Sequence, residues 1–191
     1  MDKDHLISRR SFIKTASLIG SGFAIGFNFL QAKRELNSEF SPNMYINVLS
    51  DDTVILSVSK AEMGQGIWTS LPMLIAEEME VDWGKVKVQQ ISKDNFIGTG
   101  GSMSISGYGW EKMREAGAVA KQVLVESAAL KWKVSPVECV AKNSVVYHQK
   151  TRRSTSFGSL VDKASKVKIP KRVRLKKPSE FNLLGKDMLR T

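Results

Sequence analysis

Apolar and polar positions alternate in two neighbouring stretches, residues 44–50 and 53–60, where Tyr45, Val48, Val54, Leu56 and Val58 recur at strand spacing. Asp51-Asp52 between them is a turn signal, so the pattern predicts a hairpin. The period then changes. Leu71, Leu74, Ile75, Glu78 and Met79 fall on one face of a helix over about 69–80, with Pro72 early in it. Residues 85–91 return to alternation, Val86 and Val88 against lysine and glutamine, and predict a half-exposed strand. A long helix is predicted over 108–132, with Met113, Ala116, Gly117, Ala120, Leu124, Ser127 and Ala128 as its packed face. Small residues on that face allow a close approach.

Further on, Ser135-Pro136-Val137-Glu138 has the form of a helix cap, with proline first and glutamate three after serine. Residues 140–148 read as a short strand pair around Lys142-Asn143, and 156–164 as a short helix capped by Ser156. From Lys166 the chain is lysine-rich and interrupted by Pro170 and Pro178, which predicts an extended connector. Residues 181–191 do not read as a natural C-terminal element. The order β-β-α-β-α with mixed connections implies an α+β fold, a mixed sheet with packed helices, over about 39–165. Residues 166–191 form the basic connector.

The first 38 residues have a different character. Arg9-Arg10-Ser11-Phe12-Ile13-Lys14 precedes an apolar run, residues 15–30, broken by Gly20, Gly22, Gly26 and Asn28. A charged start before a short apolar stretch is the layout of an export signal, and the run is too short and weakly apolar to predict a membrane span. The paired arginines resemble the twin-arginine motif. That resemblance implies export in folded form to the periplasm or the outer face of the membrane. Leu30-Gln31-Ala32 is a poor cleavage match, so the segment either is removed or stays as an anchor.

Composition bounds the chemistry. The 191 residues are 42% hydrophobic and 25% charged, an ordinary globular balance, with a net charge of +10. Such a charge suits nucleic acid, an anionic membrane or an acidic subunit, or serves solubility alone. Nucleic acid is disfavoured. The basic runs at 150–153 and 171–177 interleave no aromatics and carry no recognition motif. One cysteine, Cys139, excludes an internal disulfide and a cysteine-built metal or iron–sulfur site. His5 and His148 match no ligand spacing, so any metal must arrive within a cofactor.

Two stretches carry candidate binding chemistry. Glu62-Met63-Gly64-Gln65-Gly66 lies between a strand and a helix, where glycines permit close approach and the helix N-terminus favours an anion. Gln65 adds an amide that donates and accepts. Residues 98–107 form a glycine and hydroxyl-rich stretch before the long helix, with Ser102, Ser104 and Ser106 able to donate to phosphate oxygens. Neither G-x-x-x-x-G-K-[ST] nor G-x-G-x-x-G occurs. The two stretches are expected to converge on one anionic cofactor.

Residues 62–83, from Glu62-Met63-Gly64-Gln65-Gly66 to Val81-Asp82-Trp83, resemble the N-terminal part of molybdenum hydroxylase large subunits. The likeness is to the isoquinoline 1-oxidoreductase beta-subunit branch of the xanthine dehydrogenase and aldehyde oxidase superfamily. Gly100-Gly101-Ser102-Met103-Ser104, Trp110-Glu111, Arg114-Glu115-Ala116-Gly117-Ala118, residues 132–139 and 181–186 extend it over nearly the whole chain. The resemblance implies a partial molybdopterin-binding domain. Gly64, Gln65, Gly66, Ser102, Met103 and Ser104 would contact molybdopterin cytosine dinucleotide. It also implies a small iron–sulfur partner subunit and hydroxylation of an N-heterocycle or aldehyde with oxygen from water. These large subunits are several times longer, and nothing here matches the motif of their glutamate base; Glu62 is not expected to replace it. The chain alone is therefore expected to be inactive. It is either a cofactor-binding segment completed by the remainder of the subunit or a non-catalytic truncated or split product.

Overall fold

The computed structural model describes residues 39–43, 45–91 and 101–186. The chain divides into two compact units, Met1–Leu30 and Gln31–Thr191, and every described residue belongs to the second. The export segment, Met44, residues 92–100 and residues 187–191 lie outside the described residues.

A four-stranded sheet forms one layer, in the order β1 (Glu39–Asn43), β2 (Ile46–Leu49), β3 (Val54–Val58) and β4 (Val86–Gln90). The first three strands run antiparallel, and the expected hairpin is β2–β3. Its turn is shaped by Asp51, whose carboxylate accepts the Thr53 N–H at 2.9 Å, and by Asp52 at φ 71°. β4 lies parallel to β3, which requires a crossover, and helix α1 (Ile67–Met79) supplies it. Strand β1 was not legible in the sequence pattern.

α1 begins at Gly66, a left-handed residue at φ 78°, slightly earlier than the pattern suggests. Pro72 consequently sits inside the helix, where it removes one internal hydrogen bond and turns its ring to the buried face. The long helix α2 (Trp110–Trp132) is entered through a π-helical turn, Ser104–Gly109, so the serine-rich stretch is helical from Ser104 onward and not a loop. Gly109 is needed there: a Cβ would stand 2.6 Å from the Ser104 carbonyl oxygen. All seven residues of the expected α2 face are buried. Gly117 lets α2 ride directly on α1, since a Cβ at Gly117 would lie 2.3 Å from the Ile75 carbonyl oxygen. Val48, Val54, Leu56, Leu74, Ile75 and Leu124 fill the space between the helices and the sheet.

A second, antiparallel sheet follows: β5 (Cys139–Lys142), β6 (Val145–His148) and β7 (Arg153–Ser156). Two expectations are corrected here. Pro136–Glu138 is a single 3-10 turn and not a capped helix, because the Glu138 carboxylate turns to Lys150 instead of reaching back to Ser135. Residues 153–156 pair with β6 and bury Thr155, so the final helix shrinks to α3 (Val161–Ala164). Ser156 bonds the Ser159 hydroxyl at 2.9 Å and caps nothing. The second sheet is tied to the segment that follows α1 by Ser144, whose N–H donates to the Glu80 carbonyl and whose hydroxyl accepts the Asp82 N–H.

Gly117→Ala is expected to lose about 1–3 kcal/mol by overpacking the helix crossing. Gly107→Ala, where an added Cβ meets nothing within 4 Å, should leave the melting temperature unchanged; thermal unfolding of the two variants compares them directly.

Candidate functional site

The glycine turn ahead of α1 is a closed hydrogen-bonded unit. Glu62 Oε1 accepts the N–H of Gly64 at 2.8 Å and of Gly66 at 3.0 Å, and its Oε2 accepts the N–H of Trp68 at 3.1 Å. Gln65 folds back on the same turn: Oε1 accepts the Met63 N–H at 2.6 Å and Nε2 donates to the Ala61 carbonyl at 2.8 Å. The Trp68 indole N–H donates to the Lys60 carbonyl at 3.0 Å. Gly64 and Gly66 both have positive φ, 95° and 78°, which only glycine adopts without strain.

This corrects one expectation in a specific way. The N–H groups of Gly64 and Gly66 do not stand ready for a phosphate. A carboxylate of the chain itself fills the anion position at the start of α1. Those N–H groups, Trp68 first and Gly66 next, hold the Glu62 carboxyl below the usual carboxylate range although it is exposed. An ionised group bonded to three N–H is a poor proton acceptor. What the turn does present is Gln65. An amide has two N–H donors and two acceptor lone pairs, and the turn uses one of each. One donor and one acceptor remain on an exposed side chain of fixed orientation.

The second stretch is also arranged inward. Ser104 is buried and its hydroxyl donates to the Gly101 carbonyl at 2.7 Å, while the Ser106 hydroxyl donates to the Ser102 carbonyl at 3.2 Å. Among the described residues of the stretch, only Ser102 has an exposed hydroxyl not spent on the backbone. Met63 and Met103 stand out from the two stretches, 80% and 81% exposed. Among the described residues, no hydrogen bond or ion pair links Gly64, Gln65 or Gly66 to Ser102, Met103 or Ser104. Thr99 and the rest of the stretch before Gly101 lie outside the described residues.

The far end of α1 holds a feature that the sequence reading passed over. Glu77 and Glu78 are both buried. Glu78 takes Arg114 Nε at 2.8 Å and the Lys176 N–H at 3.1 Å. Glu77 takes Lys176 Nζ at 2.5 Å and the N–H groups of Asn182, Leu183 and Leu184 at 3.0, 2.7 and 3.0 Å. Lys176 also reaches Glu80 at 2.6 Å. Arg114 lies between the rings of Trp110 and Phe181, 5.5 and 5.2 Å from their centroids. Burial pushes the Glu77 carboxyl up, but Lys176 and the three N–H groups outweigh it and the net displacement is downward. The strap of residues 166–186, irregular and turned at Pro178–Glu180 and again at Leu184-Gly185, is thereby fastened across α1 and α2. The available signal was two adjacent glutamates inside an otherwise apolar helix, one of them on its packed face.

A molybdopterin cofactor-binding domain model matches residues 7–187. The chain belongs to that family. Members that it resembles include isoquinoline 1-oxidoreductase subunit beta of Brevundimonas diminuta, 34% identical over 179 residues, which is 86% of this chain and 22% of that protein. A second is membrane-bound aldehyde dehydrogenase [pyrroloquinoline-quinone] of Gluconacetobacter polyoxogenes, 31% identical over 201 residues, 96% of this chain and 25% of that one. This molybdopterin cofactor-binding domain thus spans about a quarter of the length of either relative. Among solved structures, quinoline 2-oxidoreductase of Pseudomonas putida 86 aligns with a TM-score of 0.51 at 19% identity, over 61% of this chain and 15% of that one. At that identity the likeness shows the fold alone, a mixed arrangement of sheets and helices.

The donor set of the two stretches fits an organic cofactor. Apart from the Glu62 carboxylate, which is spent on the N–H groups of its own turn, the exposed polar side chains of the two stretches are the Gln65 amide and the Ser102 and Ser106 hydroxyls. Such groups bind an organic moiety by hydrogen bonds, as suits a metal that arrives already held by a pterin.

Ser104→Ala should lower stability by about 1 kcal/mol, the net value of one hydrogen bond. Ser102→Ala, at an exposed hydroxyl, should change it little. Denaturant midpoints of the two variants check this, and equal losses would contradict the inward and outward assignment.

Proposed function

We propose that this domain is the cofactor-binding segment of a molybdenum hydroxylase large subunit, in which Gly64, Gln65, Gly66, Ser102 and Met103 contact the cofactor, while the buried Ser104, expected from the sequence to join them, instead holds the Gly101 carbonyl and shapes the stretch. The observation that carries the reading is Gln65, an exposed amide locked in orientation by two backbone hydrogen bonds, with a donor and an acceptor still to offer. Such a pair complements the edge of a pterin or pyrimidine ring. Gly64 and Gly66 keep the turn free of side chains, so a planar group can approach the backbone. The Ser102 hydroxyl adds a neutral hydrogen bond, and Met63 and Met103 offer adaptable apolar contact.

We assign the cytosine dinucleotide form of the cofactor on the family resemblance. When bound, the cofactor supplies the redox-active metal. The chain's own residues bind and orient it. Substrate oxidation belongs to the complete assembly, with an N-heterocycle or an aldehyde as the substrate class that the relatives' names suggest. Electrons would leave through a small iron–sulfur subunit, because the single cysteine here, Cys139, is buried in β5 and cannot by itself hold a cluster. The turnover-competent unit includes the remainder of the subunit, either in one longer chain or as a second polypeptide. The name of the aldehyde dehydrogenase relative includes pyrroloquinoline quinone, an alternative organic anion that the same experiment can report.

Gln65→Ala is expected to lower molybdenum and cytosine nucleotide content per protein by about tenfold, the equilibrium value of losing hydrogen bonds worth roughly 1.4 kcal/mol. Lys150→Ala, outside both stretches, should retain the wild-type content. The proteins are isolated after co-expression with the remainder of the subunit and analysed for metal, nucleotide and quinone. Quinone without molybdenum would overturn the cofactor assignment.

We further propose that residues 1–38 direct export by the twin-arginine route to the periplasm or the outer face of the membrane. The support is Arg9-Arg10 followed by Phe12, Ile13 and Lys14 ahead of the apolar run. Lysine at both arginine positions should abolish periplasmic accumulation of a reporter fused to residues 1–40. Undiminished accumulation would refute the route.

A further inference from the structure

We infer that Glu62 is the positioning residue of the cofactor turn: its carboxylate, in place of any ligand anion, ties Gly64, Gly66 and Trp68 together and so fixes where Gln65 presents its amide. The inference rests on the cofactor reading given above and adds a residue and a division of labour to it. Three observations carry it. Both carboxylate oxygens are engaged, Oε1 by Gly64 and Gly66 and Oε2 by Trp68, at 2.8, 3.0 and 3.1 Å. The bonds span the whole turn, from the residue after Met63 into the first turn of α1. They leave Gln65 at the apex between two of the glycines that Glu62 holds, with its amide seated on Met63 and Ala61.

Two left-handed glycines make a turn that would otherwise sample many shapes, and an internal carboxylate selects one. The charge is essential to this. Helix N-termini favour an anion, and charge-assisted bonds from N–H to carboxylate are about twice as strong as neutral ones. A glutamine at position 62 can still accept, but it carries no charge and has only one oxygen. An aspartate keeps the charge on a shorter arm. Glu62 does not touch the cofactor in this account; it acts through Gln65. Phosphate groups of the cofactor are bound elsewhere, because this cradle is already filled.

The test uses the full chain labelled with nitrogen-15. The folded carboxyl sits below its ordinary value, so the restraint is complete above the unfolded carboxylate range and is lost as pH falls through the folded value. The amide resonances of Gly64, Gly66 and Trp68 should therefore titrate together at a midpoint below that of a free glutamate. Glu62→Gln should abolish that titration and speed exchange of the three amides by roughly tenfold or more, the factor for losing one charge-assisted bond, while core amides such as Val54 and Leu124 are unchanged. Glu62→Asp should restore part of the titration. Amides that titrate independently, or identically in Glu62→Gln, would overturn the inference whatever the cofactor does. Molybdenum content after co-expression separates the two readings. Loss in both Glu62→Gln and Gln65→Ala supports the inference. Loss in Gln65→Ala alone overturns Glu62 as a positioning residue, and loss in neither removes the cofactor reading and this inference with it.

Discussion

Glu77 and Glu78 are the point on which the described structure turns. Two adjacent carboxylates near the end of a largely buried helix would be costly to bury alone, and each is compensated by a different set of groups. Glu78 faces Arg114 on α2, and Glu77 faces Lys176 and three consecutive N–H groups of the strap. Removing one partner of such a buried pair costs about 3–5 kcal/mol, chiefly because the other charge is left stranded. The helix crossing at Gly117 and Ile75 and the strap are therefore coupled through α1, which also carries the glycine turn at its opposite end.

The same helix uses carboxylates for two purposes. At its start Glu62 is exposed and satisfies N–H groups that the helix cannot. Near its end Glu77 is buried and satisfies N–H groups of a segment that forms no sheet. In both places a carboxylate does for irregular backbone what a neighbouring strand would do in a sheet. Both groups are held below the ordinary carboxylate range, Glu62 by the N–H groups it accepts and Glu77 by Lys176 first and then by the strap N–H groups, which together outweigh its burial. Acid weakens both ends of α1 in the same direction.

Much of the fold was legible because hydrophobic period reports directly on burial. The β2–β3 hairpin, β4 and the buried faces of α1 and α2 follow from side-chain spacing alone. Strand β7 was missed because Arg153-Ser154-Thr155-Ser156 buries only Thr155, which leaves no apolar alternation to read. The serine stretch was legible in composition but not in conformation: Ser104 and Ser106 bond carbonyls within a π-helical turn, a choice that depends on Gly109 fitting beneath the chain. The glycine turn was recognisable from Gly64, Gln65 and Gly66, whereas the occupant of its N–H groups was not, because Glu62 reads equally well as a surface residue. The strap's anchoring joins residues about a hundred positions apart, Asn182 and Leu183 to Glu77, and local pattern carries no trace of such a pairing.

That separation has a consequence for how the chain acquires its structure. During synthesis, α1 emerges from the ribosome long before Lys176 and residues 182–184 do. Until then Glu77 lacks Lys176 and the strap N–H groups, and burying it against the sheet would be unfavourable. α1 and α2 can dock early through Ile75 and Gly117, with Glu78 already paired to Arg114, but their outer edge stays hydrated. The final locking step waits for almost the last described residues, a long-range closure of the kind that slows folding. A chain whose synthesis halts just short of Lys176 would hold most of its apolar core and yet remain unlatched, and so be exposed to proteases along the helix that follows the glycine turn.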